Sequence, residues 1–192
     1  MGDGQKETGA IHGTGVTMGR QAILFKTPWG WMGVSETDRG IDAVALPQTS
    51  KRRAAEILHL GVKSPYCLNE SPRLAAARRQ LMEYLSGTRR TFDVPFDLGA
   101  GTAFQRRVWR TLLRVPYGKL RSYQWLALRV GGPQYARAVG GAVGANPLPI
   151  VIPCHRIVAR DATLGGFSGG LPTKRKLLGL EGSYAQLRQG RA

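Results

Sequence analysis

The chain has 192 residues, enough for one ordinary domain or two small ones, and 42% of them are hydrophobic, enough to bury a core. No apolar run approaches the roughly 20 residues that span a bilayer, so no transmembrane helix is expected. The net charge of +16 points to an anionic partner.

The distribution of that charge says more than its sum. Residues 1–97 carry 13 basic and 10 acidic residues, whereas residues 98–192 carry 15 basic and only two acidic ones, Asp161 and Glu181. A half-chain of this kind repels itself unless an anion covers it. Nucleic acid is the first candidate and an anionic membrane surface the second. The two cysteines, Cys67 and Cys154, form no Cys-x-x-Cys pair, and His12, His59 and His155 have no ligand-like spacing around them. A disulfide framework and a structural zinc site are therefore both disfavoured, and a reducing, cytoplasmic setting is expected.

In chain order, residues 1–19 are rich in glycine and threonine and lack an apolar segment, so they read as a disordered leader and not a secretory signal. Residues 21–26, 31–34 and 41–46 alternate like strands, separated by turn signals at Pro28-Trp29-Gly30 and Asp38-Arg39-Gly40. Residues 51–60 read as a short helix. Ser71-Pro72 is a helix start; Leu74, Ala77, Leu81 and Leu85 share a face, and Gly87 closes the helix. Cys67, in the loop before it, reads as a structural cysteine. A short extended stretch, 92–98, leads into the hinge-like Gly99-Ala-Gly101, which marks a domain boundary. The expected organisation is an N-terminal α/β domain over 20–98, a C-terminal domain over 99–182 and a tail over 183–192.

The second half opens with a helix expected from Thr102 to Arg114. Ser122 caps a second helix over 123–129, and Gly131-Gly132-Pro133 turns into a third over about 134–144. Two short helices joined by a glycine turn form a helix-turn-helix pattern. The third helix contains Gly140, Gly141 and Gly144, and glycine costs about 1 kcal/mol in a helix relative to alanine. Its backbone approaches another surface, such as a nucleic-acid groove with Arg137 as the one long charge, or it packs tightly within the domain, and the two can hold on different faces.

An apolar, β-branched run, Ile150-Val-Ile152, leads into Pro153-Cys154-His155-Arg156. A lone cysteine in such a run is ordinarily a core residue. Three features turn the reading towards a nucleophile: the adjacent His155, the isolated acid Glu181 and the basic surroundings, which together favour thiol deprotonation.

Several segments now coincide in order and spacing. They are Phe104-Gln105 with Val108-Trp109, Val115-Pro-Tyr-Gly118, Ser122-Tyr123, Ala136-Arg-Ala-Val-Gly-Gly-Ala142 and Asn146-Pro147. They continue with Ile152-Pro-Cys-His-Arg156, Gly165-Gly-Phe-Ser-Gly-Gly170, Leu177-Leu178 and Leu180-Glu-Gly182. Together they resemble the O6-alkylguanine-DNA alkyltransferases and cover most of residues 102–182. The resemblance implies an α/β (α+β) fold, with a small ribonuclease-H-like sheet-and-helix domain and a helical, winged-helix-like domain bearing the helix-turn-helix. It implies a single, irreversible transfer of a methyl or alkyl group from guanine O6, and possibly thymine O4, in duplex DNA to Cys154 after base flipping. No cofactor or metal is implied, since the DNA itself is the donor, and a monomer is expected.

The resemblance also implies roles. Arg137 would fill the space vacated by the flipped nucleotide. Tyr123 would crowd the 3′ phosphate and hydrogen-bond guanine N3. Ser122, Ala136, Gly140, Gly141 and Arg156 would lie on the DNA or substrate face. His155 would accept the thiol proton through a water, Glu181 would orient His155, and Asn146 would fix the turn that carries Cys154. Backbone groups at Cys154, Ile157 and Ser168 would read the guanine edge. The presence of Cys154 counts against a non-enzymatic lesion binder. A winged-helix regulator leaves the Pro-Cys-His-Arg segment and Glu181 unexplained, and a thiol hydrolase is hampered because neighbours on an extended chain face opposite ways.

If the charge of residues 98–192 serves phosphates, duplex affinity is expected to fall linearly on a log–log salt plot, with a slope of about −0.9 per phosphate contact. A flat salt dependence would reduce that charge to a solubilising role.

Overall fold

The computed structural model describes residues 20–60, 70–159 and 163–188. The expectations for the leader, for the loop of Cys67, for Asp161 and for the last residues of the tail lie outside this range.

Three strands, β1 (Gln21–Thr27), β2 (Gly30–Thr37) and β3 (Gly40–Gln48), form an antiparallel sheet in chain order. Each runs a residue or more beyond the alternating segment because the hairpin turns are only two residues long. Gly40, at φ +152, is needed at its turn: a Cβ there would meet the backbone of Phe96 at 2.8 Å. That close approach lets the 92–98 stretch dock on β3, with Ile41 N donating to Pro95 O at 2.9 Å and Asp97 N to Ile41 O at 2.8 Å.

Helix α1 (Lys51–Ile57) ends short of the expected residue 60, where His59 turns left-handed at φ 54. Helix α2 (Pro72–Leu85) starts as expected: Ser71 Oγ accepts from Leu74 N at 3.0 Å. Gly87, at φ +79, follows its end. Its face of Leu74, Ala77, Leu81, Tyr84 and Leu85 is buried among the core residues of the sheet. Each fully buried leucine of this kind contributes about 1.5–3 kcal/mol.

In the second half, Thr102 is the cap of α3 (Ala103–Leu112) and not its first residue. Its hydroxyl accepts from Gln105 N at 3.2 Å, and the Gln105 side chain accepts from Thr102 N at 2.8 Å. Trp109 is buried and donates from Nε1 to Ala142 O at 2.7 Å, tying this helix to the glycine-rich one. A two-residue strand, β4 (Arg121–Ser122), leads into α4 (Tyr123–Val130), whose cap Ser122 accepts from Trp125 N at 3.1 Å.

The third helix is split. Pro133–Tyr135 form a 3-10 turn, and α5 runs over Ala136–Gly144. Gly132, which precedes the turn, has no side chain with which to cap a regular first turn. Helix α5 turns Val139, Ala142 and Val143 inward, whereas a Cβ at Gly140, Gly141 or Gly144 would meet nothing within 4 Å. Tight internal packing, one of the two expected reasons for these glycines, therefore does not apply; their face is open.

The run from Ile150 to Val158 is not one strand. Ile150 stands at φ 77, Cys154–Arg156 form a 3-10 turn, and only Ile157–Val158 (β5) is extended, pairing in parallel with β4. Helices α6 (Gly170–Leu180) and α7 (Tyr184–Arg188) complete the described chain. One apolar core runs through both halves, from Ile23 to Leu177.

Because Gly141 faces open space in helical backbone, Gly141→Ala is expected to raise unfolding stability by about 1 kcal/mol. Urea denaturation measures this, and a loss of stability would contradict the open placement.

Candidate active site

Cys154 is buried, with 2% of its surface exposed. Its Sγ lies 3.0 Å from Asn146 Nδ2, which also donates to Ile152 O at 2.9 Å. Asn146 Oδ1 accepts from Leu148 N at 3.0 Å. One amide thus closes the Asn146–Ile152 turn and touches the sulfur. These bonds hold Ile150 in its left-handed conformation, which costs a β-branched residue about 1–3 kcal/mol. From the N-terminal half, Val44 N donates to Pro147 O at 2.9 Å and braces the same turn.

The 3-10 turn resolves the difficulty of neighbouring side chains, since it buries Cys154, His155 and Arg156 together. His155 Nε2 is 2.9 Å from Glu181 Oε1. Its Nδ1 is buried and makes no hydrogen bond with another described residue. Glu181, with a fully buried side chain, is crowded with donors. Arg156 reaches it with Nη2 at 2.8 Å from Oε1 and with Nε at 3.0 Å from both oxygens. Gly118 N donates to Oε2 at 3.1 Å and Tyr84 Oη to Oε1 at 2.6 Å. Gly118 is required at φ +71, where a Cβ would meet Glu181 O at 2.9 Å.

The charge states follow. Burial pushes the Glu181 carboxyl up, but the bonds and charges of His155 and Arg156 outweigh it and hold the acid down at about 2. Burial lowers His155 below the ordinary 6.5, against the pull of Glu181, so the imidazole is neutral at neutral pH. Burial raises the Cys154 thiol, opposed by the Asn146 bond and the Lys174 charge, so the resting sulfur is protonated. With Nε2 bonded to an ionised carboxylate, the proton sits on Nε2 and the unpartnered Nδ1 is basic.

Arg156, expected on the DNA face, is instead buried, its guanidinium on Glu181 and its Nη1 donating to Val115 O at 2.6 Å. Removing such a partner from a buried carboxylate costs about 3–5 kcal/mol. Lys174 is a second buried cation that the sequence reading missed. Its Nζ donates to Ile157 O at 2.6 Å, to Leu164 O, and to Gly166 O at 3.4 Å. Burial lowers its pKa to about 8 and the nearby Cys154 opposes that shift. The signal for it was present, since Lys174 falls three and four residues before Leu177 and Leu178 on one helix face.

A cavity of about 320 Å³ is lined by Tyr123, Gly140, Val143, Gly144, Gly166, Phe167 and Ser168. Tyr123 Oη lies 3.5 Å from Gly166 O, and burial and then the Cys154 charge raise its phenol. Ala136 and Arg137 are exposed at the start of α5, and Gly141 is exposed one turn on. Ser122 spends its hydroxyl on capping α4, and the Ile157 carbonyl carries the Lys174 bond.

Fold and site define a helix-turn-helix protein with a buried cysteine, a neutral histidine and an ionised carboxylate, and with a cavity lined by Tyr123 and by glycines of α5. Comparison with known proteins agrees with that description. Residues 103–183 match the family model of the 6-O-methylguanine DNA methyltransferase DNA-binding domain. The chain is 50% identical over 113 residues to a methylated-DNA–protein-cysteine methyltransferase of Mycolicibacterium paratuberculosis, covering 58% of this chain and 68% of that protein. It is 48% identical over 100 residues to the constitutive Bacillus subtilis protein of the same name, covering 52% and 60%. The fold matches Mycobacterium tuberculosis OGT in complex with DNA at a TM-score of 0.68 and 33% identity, over 85% of this chain and 94% of that one. The chain belongs to the methylated-DNA–protein-cysteine methyltransferase family.

Since folded His155 resists protonation, the unfolded chain takes up a proton that the native one refuses. Stability is expected to fall as pH drops below the ordinary histidine value of 6.5. His155→Gln removes that step and should flatten the curve there; equal slopes in chemical denaturation of the two proteins would contradict the neutral buried imidazole.

Proposed function

We propose that this protein reverses alkylation damage directly, moving an alkyl group from the O6 of guanine in duplex DNA onto Cys154, once per molecule. The observation that carries the reading is the buried cluster of Cys154, its neighbour His155 and the Glu181 bonded to His155, together with a cavity lined by Tyr123 and by Gly140 and Gly144 of the open α5 face. A groove-wall backbone can approach that face closely, and no described side chain obstructs it. Residues 99–182 bind DNA and hold the reacting groups, and residues 20–98 brace them.

The lesion lies within the base stack, so the nucleotide must be extruded. Arg137, exposed on α5, fills the space it leaves. The guanine enters the Tyr123–Phe167–Ser168 cavity, where Tyr123 stays protonated and donates a hydrogen bond to N3 of the leaving base. His155 Nδ1 takes the thiol proton through a bridging water. The sulfur attacks the alkyl carbon, a carbon–sulfur bond forms, the carbon–O6 bond breaks, and the electron pair leaves with guanine. Glu181 keeps the Nε2 proton in place and stabilises the imidazolium that forms, as the carboxylate of a nucleophile–base–carboxylate line does. Arg156 acts on Glu181 and not on DNA. The product is a thioether, and the residues around it offer no chemistry to cleave it. A reducing compartment such as the cytosol suits a thiol used in this way.

With labelled O6-methylguanine duplex in excess, label on protein is expected to plateau at about one alkyl group per molecule. Cys154→Ser should abolish transfer and keep DNA binding, and Cys67→Ser should leave transfer intact. Sustained turnover would overturn the single-use reading.

Arg137→Ala should slow single-turnover transfer from duplex at saturating protein, yet spare transfer from the free base O6-benzylguanine, which needs no flipping. Glu181→Gln should slow both. A wild-type rate for Arg137→Ala on saturated duplex would reduce Arg137 to a phosphate contact.

A further inference from the structure

We propose that Tyr84, from the N-terminal half of the chain, is a positioning residue of the alkyl-transfer relay: through Glu181, its hydroxyl weakens the pull of the carboxylate on His155. The proposal rests on the reading of His155 as the thiol base.

Tyr84 occupies the buried face of α2, where any large apolar side chain would serve the packing. A hydroxyl in a fully buried position needs a partner. The partner is not in its own half. The Tyr84 Oη donates to Glu181 Oε1 at 2.6 Å, 97 residues away in sequence, and lies 3.3 Å from His155 Nε2. The ring is fixed by Phe92 at a centroid distance of 5.6 Å and by Tyr117 at 6.1 Å, edge-on at 77°. Burial, reinforced by the Glu181 charge, drives the phenol well above its usual range, so it remains a donor.

Oε1 therefore receives Tyr84, His155 and Arg156 at once. Each donor draws charge from the oxygen, so His155 faces a weaker acceptor than an isolated carboxylate. A weaker acceptor stabilises imidazolium less and keeps His155 neutral, ready to accept a proton. The other charged or titratable groups facing this cluster are Arg156 from the 3-10 turn, Lys174 from α6 and Tyr117 from the loop after α3, whose ring Arg90 covers. Phe in place of Tyr84 leaves all of them in position and subtracts one hydrogen bond.

The test is the pH dependence of single-turnover transfer from free O6-benzylguanine, which is independent of DNA binding. In Tyr84→Phe the acid limb is expected to move to higher pH by roughly half a unit or more, because His155 protonates more readily. Incorporation of 3,5-difluorotyrosine at position 84, a stronger donor of nearly the same shape, should move the limb the opposite way and serves if the Phe variant folds poorly. His155→Gln is the control for the underlying reading and should eliminate the limb. If the limb persists without His155, the base assignment fails. If it vanishes there but stays unmoved when position 84 is changed, Tyr84 is a packing residue and the proposal is overturned.

Discussion

A fully buried, ionised carboxylate is the constraint on which this structure turns. Glu181 stands at the C-terminal end of α6, where the helix dipole disfavours an acid, and it is removed from water, which disfavours any charge. Both penalties are offset by donors gathered from across the chain: Gly118 N after α3, the guanidinium of Arg156, the imidazole of His155 and the hydroxyl of Tyr84. The 3-10 turn at Cys154–Arg156 serves this gathering, because it aims two consecutive side chains at one carboxylate. The same arrangement fixes the His155 tautomer and leaves Nδ1 as the basic nitrogen.

The two halves of the chain differ in charge yet share one core. The N-terminal half meets the site at two points: β3 holds the Asn146–Ile152 turn through Val44, and α2 reaches Glu181 through Tyr84. The C-terminal half presents the opposite character outward, with an α5 face bare of side chains at its glycines. Helix stability is given up there, whereas the interior side of the same helix packs Val139, Ala142 and Val143 conventionally.

Much of this was legible in the residues. The caps at Ser71 and Ser122 located helix starts, because each supplies a side-chain acceptor to an otherwise unpaired N–H. Pro153-Cys-His-Arg156 and the isolated Glu181 marked the site. What was not legible depends on distance or on local twist. Tyr84 looks like any core aromatic, since its partner lies far along the chain. Arg156 looks like a phosphate contact until the turn folds it inward. The strand-like run before Cys154 conceals a left-handed Ile150, because periodicity cannot report a turn imposed by the Asn146 bonds.

Burial keeps His155 neutral, while Glu181 holds its proton on Nε2 and leaves Nδ1 free to act as base. Nitrogen NMR of protein labelled at histidine reads this directly, with His155→Gln assigning the signal. At neutral pH the account predicts a protonated, pyrrole-type Nε2 and a bare, pyridine-type Nδ1 for His155. An imidazolium, or a proton on Nδ1, would contradict it.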